Sequence, residues 1–353
     1  MTGHGGNIHT ASQKTGIPLN EIIDFSASIN PLGVTKTAVA AIRRGISLLP
    51  HYPEPFADSL ASCIARRYSL PPESLVCGNG STELIYLIPR ALKPKRILIT
   101  APAFSEYEKA CKSAQKSEVR SLKLRPESEF DIDPEAFIKS MKGCNLAFLC
   151  NPNNPTGRLL RKKDILKIAD AAKELGCYLV VDEAFMDFCL DETVIKYVSR
   201  NPYLIVLRSM AKFYALAGLR IGFGVFPLKI AQEIKIQKEP WTVNCLADAV
   251  GRAVLNDTGY QAKSLEMIRR EKRFLEISLD RLAIEYIRSS ANYYLIKMKN
   301  AQKVIRDLSK KGILLRDCSN FDGLGETYIR ISVRSRKENR ILLKELSKLC
   351  PAS

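Results

Sequence analysis

Histidine is scarce in this sequence, paired cysteines are missing, and no apolar run is long. Only three histidines occur in 353 residues, and none of the ten cysteines lies in a CxxC pair, which argues against zinc binding and against a disulfide framework. Apolar runs such as "CYLVV" and "NLAFLC" are far shorter than the ~20 residues that a membrane-spanning helix needs. The polar, glycine-rich start "MTGHGGNIHT" does not resemble a signal peptide. We therefore expect a cytoplasmic protein with reduced thiols, no metal site and no membrane association.

The net charge of +17 is compatible with two kinds of partner. One is nucleic acid, and the other is a small anion attracted by the field of the whole protein. The basic residues are interleaved with acidic ones, as in "IRREKRFLEISLDRL", and no helix-turn-helix, zinc-finger or RNP-like motif accompanies them. The pattern favours a phosphorylated small molecule over nucleic acid.

Short apolar segments alternate with helical ones between about residues 75 and 225. The segments "STELIYLIPRAL" and "LRKKDILKIADAAKELG" have helical spacing, and Gly176 is well placed to end the second helix. This alternation predicts an α/β fold with a mostly parallel sheet that is covered on both faces. The strand candidates are "LVCG", "RILIT", "EVRSLKL", "NLAFLC", "CYLVVD", "YLIVLR" and "RIGFGV".

The sequence divides into three regions. Residues 1–46 are expected to form an N-terminal arm that contributes to a substrate site, and the Pro-rich stretch from "ASINPLG" to "LLPHYPEP" reads as extended chain lying over the large domain. Residues 47–240 form that large domain. Residues 241–353 form a smaller α+β domain, in which a long helix is followed by the strands "NYYLIKM", "GILLRD" and "TYIRISV" and by a last helix.

Two strand ends of the predicted sheet lead into polar turns, and ligands of such sheets gather at the carboxyl ends of the strands. After "LVC", the stretch "GNGSTELI" places Gly80, Ser81 and Thr82 at a helix start. Free N–H groups there favour an anion such as phosphate, although a glycine turn with an ordinary helix cap has the same pattern. The turn "NPNNPTG", residues 151–157, contains more amide side chains than a rigid turn requires.

Two further strand ends carry charged residues. Asp182 ends the apolar strand "CYLVV", where it either caps the chain locally or balances a cationic ring nitrogen. The strand "YLIVLR" leads to Ser209 and Lys212, which lie in the apolar stretch "SMAKFYALAGLRIGF". Apolar surroundings lower the pKa of a lysine and so favour its neutral, nucleophilic form.

Together these four motifs resemble the pyridoxal-phosphate enzymes of the aspartate aminotransferase superfamily (fold type I), and the resemblance covers essentially the whole chain. It implies that Lys212 forms a Schiff base with the aldehyde of pyridoxal 5'-phosphate and that Asp182 keeps the pyridine nitrogen protonated. It also implies that Asn154 binds the ring hydroxyl and that Phe104 stacks on the ring. The implied phosphate contacts are Gly80, Ser81, Thr82, Ser209 and Arg220.

Two residues depart from the superfamily pattern. Phe185 stands where a tyrosine is common, and Ala211 stands where many relatives have a hydroxyl residue, so the cofactor would have fewer hydrogen bonds. Active sites of the superfamily lie at a two-fold interface. The resemblance therefore implies a homodimer in which Tyr52 of "YPEP" reaches the cofactor phosphate of the other subunit. It also implies a cis peptide bond between Asn154 and Pro155.

The opening "HGGNIHTASQKTGIPLNEIIDFSASINPLG" and the late stretch "RDCSNFDGLGETYIRISVRSRKEN" resemble the threonine-phosphate decarboxylases of cobalamin biosynthesis. The resemblance implies decarboxylation of O-phospho-L-threonine or O-phospho-L-serine to an aminoalkanol phosphate. Histidinol-phosphate aminotransferases share "YPEP" and the lysine motif and are the alternative. A regulatory protein on the same fold is disfavoured because Lys212 is retained. The implied substrate contacts are His4, Gly5, Asn30, Asn154, Arg316 and Arg330.

Overall fold

Helices and strands alternate along most of the chain in a computed structural model that describes residues 4–114 and 116–349. The helices of these residues are α1 (Ile8–Thr15), α2 (Lys36–Gly45), α3 (Asp58–Tyr68), α4 (Ser81–Leu92), α5 (Glu106–Ala114), α6 (Pro134–Met141), α7 (Lys162–Leu175), α8 (Leu228–Gln237), α9 (Cys245–Val254), α10 (Thr258–Arg281), α11 (Ala301–Ser309) and α12 (Arg336–Leu349). The strands are β1 (Ile23–Asp24), β2 (Leu75–Asn79), β3 (Arg96–Ala101), β4 (Glu118–Lys123), β5 (Leu146–Cys150), β6 (Tyr178–Asp182), β7 (Leu204–Ser209), β8 (Ile221–Val225), β9 (Glu285–Ile287), β10 (Tyr293–Lys297), β11 (Ile313–Leu314), β12 (Arg316–Asp317) and β13 (Tyr328–Ser332).

A seven-stranded sheet in the order β2-β8-β7-β6-β5-β3-β4 forms the centre of the large domain. Strand β8 runs antiparallel to the other six strands, which are parallel to one another. Leu204 and Val206 of β7 belong to one apolar cluster, whereas Ile205 and Leu207 belong to another. Because alternate side chains of a strand point to opposite faces, both faces of the sheet are covered. The α/β fold with a mostly parallel sheet that the sequence predicts is confirmed.

The carboxyl ends of the central strands meet at one edge of this sheet. Asp182 at the end of β6 is in register with Cys150 of β5 and with Leu207 of β7. Helix α4 begins beside these ends and packs closely on β8, since a Cβ atom added to Gly222 would lie 2.4 Å from the backbone nitrogen of Ser81. A glycine in β8 therefore permits the helix start to approach the strand ends.

The smaller domain contains an antiparallel sheet in the order β12-β13-β10-β9. Strand β9 was not among the strands that the sequence predicts. The predicted strand "GILLRD" is divided at Leu315, because β11 pairs in parallel with β1 of the N-terminal region while β12 pairs with β13. Local apolar patterning does not reveal such a change of partner.

The N-terminal region is more regular than the sequence predicts. The Pro-rich stretch was expected to be extended, but residues 36–45 within it form α2. Thr35 caps this helix by accepting a hydrogen bond from the backbone nitrogen of Ala38 at 3.1 Å. Helix α2 packs on α9, and Val250 and Val254 of α9 lie in the apolar core of the large domain. The large domain therefore includes α9, although the sequence places the domain boundary before it.

No helix of the described residues combines the length and the apolar character needed to cross a membrane.

Candidate active site

A cavity lies at the edge of the large sheet where β2, β5, β6 and β7 end. Its lining contains every predicted site residue except Asn30 and Tyr52. The two residues that depart from the superfamily pattern, Phe185 and Ala211, also lie in its wall. The predicted residues that line it are His4, Gly5, Gly80, Ser81, Thr82, Phe104, Asn154, Asp182, Ser209, Lys212, Arg220, Arg316 and Arg330.

Lys212 follows β7 and reaches the cavity as a part-buried side chain. Burial, together with the positive charges of Arg330 and Arg220, lowers the pKa of its amine to about 8. Near neutral pH the neutral form, which attacks an aldehyde, is therefore far more abundant than for an ordinary lysine.

Asp182 ends β6 with 3% of its surface exposed. Among the described residues, its carboxylate accepts hydrogen bonds from the hydroxyl of Tyr107 at 2.6 Å and from the backbone nitrogen of Ala184 at 3.1 Å, and it forms no salt bridge. Burial raises the pKa of Asp182, and the hydrogen bond from Tyr107 limits the rise. A buried carboxyl of this kind strongly stabilises a cation placed beside it.

Tyr107 is a site residue that the sequence reasoning missed. It is fully buried, stacks on Phe148 with ring centroids 4.9 Å apart, and aims its hydroxyl at Asp182. The segment "APAFSEY" contains it, but the sequence pattern indicates only Phe104 of that segment. Because Tyr107 lies on α5 and Asp182 on β6, nothing in the local sequence indicates their contact.

The start of α4 forms an anion cradle with Arg220. Among the described residues, no side chain caps this helix, which begins at Ser81 and Thr82. Gly80 has a φ of +73°, and a Cβ atom there would lie 2.6 Å from Nη2 of Arg220. The guanidinium therefore lies directly over the turn. A free helix start beside a guanidinium binds a phosphate well. Ser209 lines the same cavity and is in register with Gly222, which contacts this helix start.

Aromatic and amide groups line the space between the cradle and the smaller domain. The peptide bond between Asn154 and Pro155 is cis, as the resemblance implies, and Asn154 accepts a hydrogen bond from Arg330. Phe104 lies edge-on to Tyr107, with ring centroids 5.7 Å apart. Phe185 packs edge-on against a neighbouring tyrosine ring and so contributes an apolar wall without a hydroxyl.

Arg316 and Arg330 lie opposite each other on β12 and β13, with 8% and 7% of their surfaces exposed. Within residues 4–114 and 116–349, neither forms a salt bridge with a carboxylate. Arg316 donates to Oδ1 of Asn320 at 2.9 Å, and Arg330 donates to the carbonyl oxygen of Ser26 at 2.8 Å. Burial and the charge of Arg330 lower the pKa of Arg316. Two facing guanidiniums without a carboxylate form a site for an anionic ligand.

The N-terminal residues His4 and Gly5 lie at the exposed side of the cavity. The Nε2 atom of His4 is 2.8 Å from Oε1 of Glu106. A Cβ atom added to Gly5 would lie 2.2 Å from the carbonyl oxygen of Ser26, and the backbone nitrogen of Gly6 donates to the Ser26 hydroxyl at 2.7 Å. Sequence reasoning found the motif "HGGN" but missed Glu106 and Ser26, which hold it.

The structure does not bring two of the predicted residues into the cavity. Asn30 is buried, and its amide nitrogen donates to the carbonyl oxygen of Phe213 at 2.8 Å and to the hydroxyl of Ser264 at 2.7 Å. Its backbone nitrogen donates to the carbonyl oxygen of Lys212 at 3.0 Å. Asn30 therefore holds the backbone around Lys212 instead of facing a substrate. Tyr52 is 86% exposed and lies outside this cavity.

Pyridoxal phosphate fits the residues present. The cradle between Gly80 and Arg220 suits its phosphate, the buried Asp182 suits a cationic ring nitrogen, and Lys212 suits its aldehyde. No cluster of three or more histidine, cysteine, aspartate or glutamate side chains suited to a metal ion occurs in the described part of the chain.

The sequence model of the family described as "Aminotransferase class I and II" matches residues 20–346, and the chain belongs to this family. It is 35% identical over 349 residues to the threonine-phosphate decarboxylase of Salmonella typhimurium, covering 98% of this chain and 96% of that protein. It is also 35% identical to the adenosylcobalamin biosynthesis bifunctional protein CobDQ of Leptospira interrogans, covering 98% of this chain and 41% of that protein. A crystal structure of the histidinol-phosphate aminotransferase from Clostridium acetobutylicum is similar at a TM-score of 0.86 and 30% identity, covering 92% of this chain and 98% of that one.

Proposed function

We propose that this protein is a pyridoxal-phosphate-dependent decarboxylase of O-phospho-L-threonine or O-phospho-L-serine. The observation that carries the proposal is the pair of buried, facing arginines, Arg316 and Arg330, which adds a second anion site to the phosphate cradle at α4. The 35% identity to a threonine-phosphate decarboxylase over 98% of the chain supports the choice of substrate. The similarity to a bifunctional protein of adenosylcobalamin biosynthesis supports a place in that pathway.

The cofactor is held by the large domain. Lys212 would bind its aldehyde, Asp182 would pair with its ring nitrogen, Asn154 would bind its ring hydroxyl, and Phe104 would contact the ring. When bound, pyridoxal phosphate supplies an electron sink for the electrons of a bond broken at the substrate Cα. The phosphate contacts are Gly80, Ser81, Thr82, Ser209 and Arg220.

Two anion contacts orient the substrate. Arg330 binds its carboxylate, while Arg316, His4 and the backbone of Gly5 bind its phosphate. Two fixed anchors set the rotation of the substrate about Cα, and that rotation decides whether the bond to the carboxylate or the bond to hydrogen breaks. Binding energy from the remote phosphate is in this way used to select decarboxylation over amino-group transfer.

Lys212 also handles the proton at the end of the reaction. Its pKa of about 8 lets the Nζ atom hold a proton near neutral pH and release it without a large barrier. After carbon dioxide leaves, Lys212 is the group in the cavity best suited to protonate Cα.

We also propose that the functional unit is a homodimer. Tyr52 stacks obliquely on Trp241, and the exposed apolar side chains of Ile46 and Leu49 are close to it in sequence. Exposed apolar groups of this size are typical of protein interfaces. In the dimer, Tyr52 would reach the cofactor phosphate of the other subunit.

The decisive experiment supplies O-phospho-L-threonine to the holoenzyme without a keto-acid acceptor. We expect carbon dioxide and aminopropanol phosphate in equal amounts, with O-phospho-L-serine compared in parallel. Release of neither product, together with rapid turnover of histidinol phosphate and 2-oxoglutarate, would replace the decarboxylase by the aminotransferase alternative.

A further inference from the structure

Glu106, at the start of α5, is a part-buried carboxylate to which the proposed function gives no role. Only 12% of its side chain is exposed. It accepts hydrogen bonds from the hydroxyl of Tyr86 at 2.7 Å and from Nζ of Lys109 at 2.8 Å, and it contacts Nε2 of His4 at 2.8 Å. Burial alone would raise the pKa of Glu106, but the hydrogen bonds of Lys109, Tyr86 and His4 outweigh it and lower the pKa to about 2. Glu106 is therefore ionised throughout the neutral range.

An ionised carboxylate only accepts hydrogen bonds. Nε2 of His4 must therefore carry the proton in this contact, which fixes the orientation of the ring and leaves Nδ1 for a second partner. The ring of Phe104 lies on one side of the imidazole, with centroids 5.6 Å apart. Since 38% of the His4 side chain is exposed, burial contributes little to holding it, and the contact with Glu106 is its main polar anchor.

We propose that Glu106 is a positioning residue that holds His4 at the cavity and thereby sets the affinity for the phosphate group of the substrate. The inference rests on the proposed function, in which His4 contacts that phosphate. A histidine between a carboxylate and a phosphate donates to both when both ring nitrogens carry protons. Lys109 and Tyr86 bind the same carboxylate, so its repulsion of the substrate anion is reduced.

Residues 4–6 have a second anchor besides the contact of His4 with Glu106. On its other side, the segment is held by Ser26, whose hydroxyl accepts from Gly6 and whose carbonyl oxygen accepts from Arg330. Residues 4–6 thus connect α5 of the large domain with the strand that carries Arg330. Loss of Glu106 leaves the glycines attached but frees the imidazole to leave the cavity.

The test is a double-mutant cycle on the holoenzyme with binding measured by titration calorimetry. Glu106→Ala and His4→Ala should each weaken binding of O-phospho-L-threonine about tenfold. The affinity of the double variant should also be about tenfold lower than that of wild type, and no lower than that of either single variant, because both changes remove the same contact. Binding of L-threonine, which lacks the phosphate, should stay unchanged in all three variants.

Two further variants separate positioning from folding. Lys109→Ala removes a partner of the same carboxylate outside the cavity and should change binding less than about twofold. Glu106→Gln keeps the shape and should give an intermediate affinity. Wild-type affinity in Glu106→Ala, independent effects of the two single changes, or an equal loss for L-threonine would overturn the inference.

Failure of the proposed function has a different signature. If wild type does not bind or decarboxylate O-phospho-L-threonine, the same cycle is measured with histidinol phosphate, which also carries a phosphate. If the two variants lost affinity for histidinol phosphate non-additively, Glu106 would keep its positioning role, and only the proposed substrate would be rejected. Uncoupled effects with both ligands would reject the role of Glu106 itself.

Discussion

The two ends of the cavity are built differently. At the cofactor end, Asp182, Ser209 and Lys212 lie at or just beyond the ends of adjacent strands of one sheet, and Gly80 and Ser81 lie at the start of the helix packed against it. At the substrate end, the groups come from the N-terminal segment, from α5 and from a sheet of the smaller domain. The first end is fixed by the core of one domain, whereas the second depends on how three separate parts of the chain pack together.

This difference separates what each end of the cavity can tolerate. Groups on a sheet buried on both faces tolerate little displacement, so the residues at the cofactor end are held in a fixed arrangement. Groups on a terminal segment and on short strands can change with little effect on the core. We therefore expect changes at the cofactor end to abolish reaction and changes at the substrate end to alter affinity and selectivity.

The largest effect is expected for Lys212→Ala, which should reduce turnover by at least about 1,000-fold because the chain loses its nucleophile and its acid. Borohydride treatment of the holoenzyme should fix the cofactor on a peptide that contains Lys212. Lys272 is the matched control, since burial also lowers its pKa but it lies outside the cavity. Cofactor found on Lys272, or full turnover in Lys212→Ala, would contradict the assignment.

A smaller but still large effect is expected at the substrate end. Arg316→Ala should lower kcat/KM by about 100-fold, with a higher KM and a lower kcat together, because the remote phosphate contact also orients Cα. Arg334 is a suitable control, since it pairs with Glu338 and does not line the cavity. If Arg316→Ala changed only KM, the contact between Arg316 and the phosphate would contribute to substrate binding without orienting Cα.

The lowered pKa of Lys212 predicts how cofactor uptake depends on pH. Only the neutral amine reacts, so the rate at which the apoprotein combines with pyridoxal phosphate should rise about tenfold per pH unit up to pH 8 and level off above it. At pH 7 the neutral fraction is about 300-fold larger than that of a lysine with the ordinary value. Stopped-flow absorbance checks this, and a rate that still rises between pH 9 and 10 would contradict the lowered pKa.

The smallest effect is expected for Tyr52→Phe. If Tyr52 donates one hydrogen bond to the cofactor phosphate of the other subunit, its loss should weaken cofactor binding about threefold and leave the dimer intact. Equilibrium dialysis and sedimentation measure the two quantities separately. Unchanged cofactor affinity, or full activity in a monomer at nanomolar concentration, would reject the contribution across the interface.

Much of the cofactor end could be predicted from the sequence because its information is local. Most of its residues follow a recognisable apolar strand, and parallel strands bring their carboxyl ends to one edge. Tyr107 was missed because its contact with Asp182 joins residues that are 75 positions apart. The predicted roles of the cofactor residues fit the geometry and stay predictions until the cofactor is bound and observed.

The substrate end was predicted less completely for the same physical reason. The opening motif identified His4 and Gly5, but their anchors Glu106 and Ser26 belong to other parts of the chain. Asn30 was assigned to the substrate, whereas its hydrogen bonds hold the backbone around Lys212. Pairing of β11 with β1 likewise depends on residues some 290 positions apart, which no local pattern encodes.

The facing arginines of β12 and β13 link folding stability to the composition of the solution. Arg316 and Arg330 are buried beside each other, with no carboxylate partner among the residues that the structure describes, so the free protein retains their mutual repulsion. An anion that binds between them stabilises the folded state in proportion to the logarithm of its concentration above Kd. We therefore expect phosphate or sulfate in a buffer both to raise Tm and to compete with the substrate for this site. Storage and assay of this protein would then call for different salts.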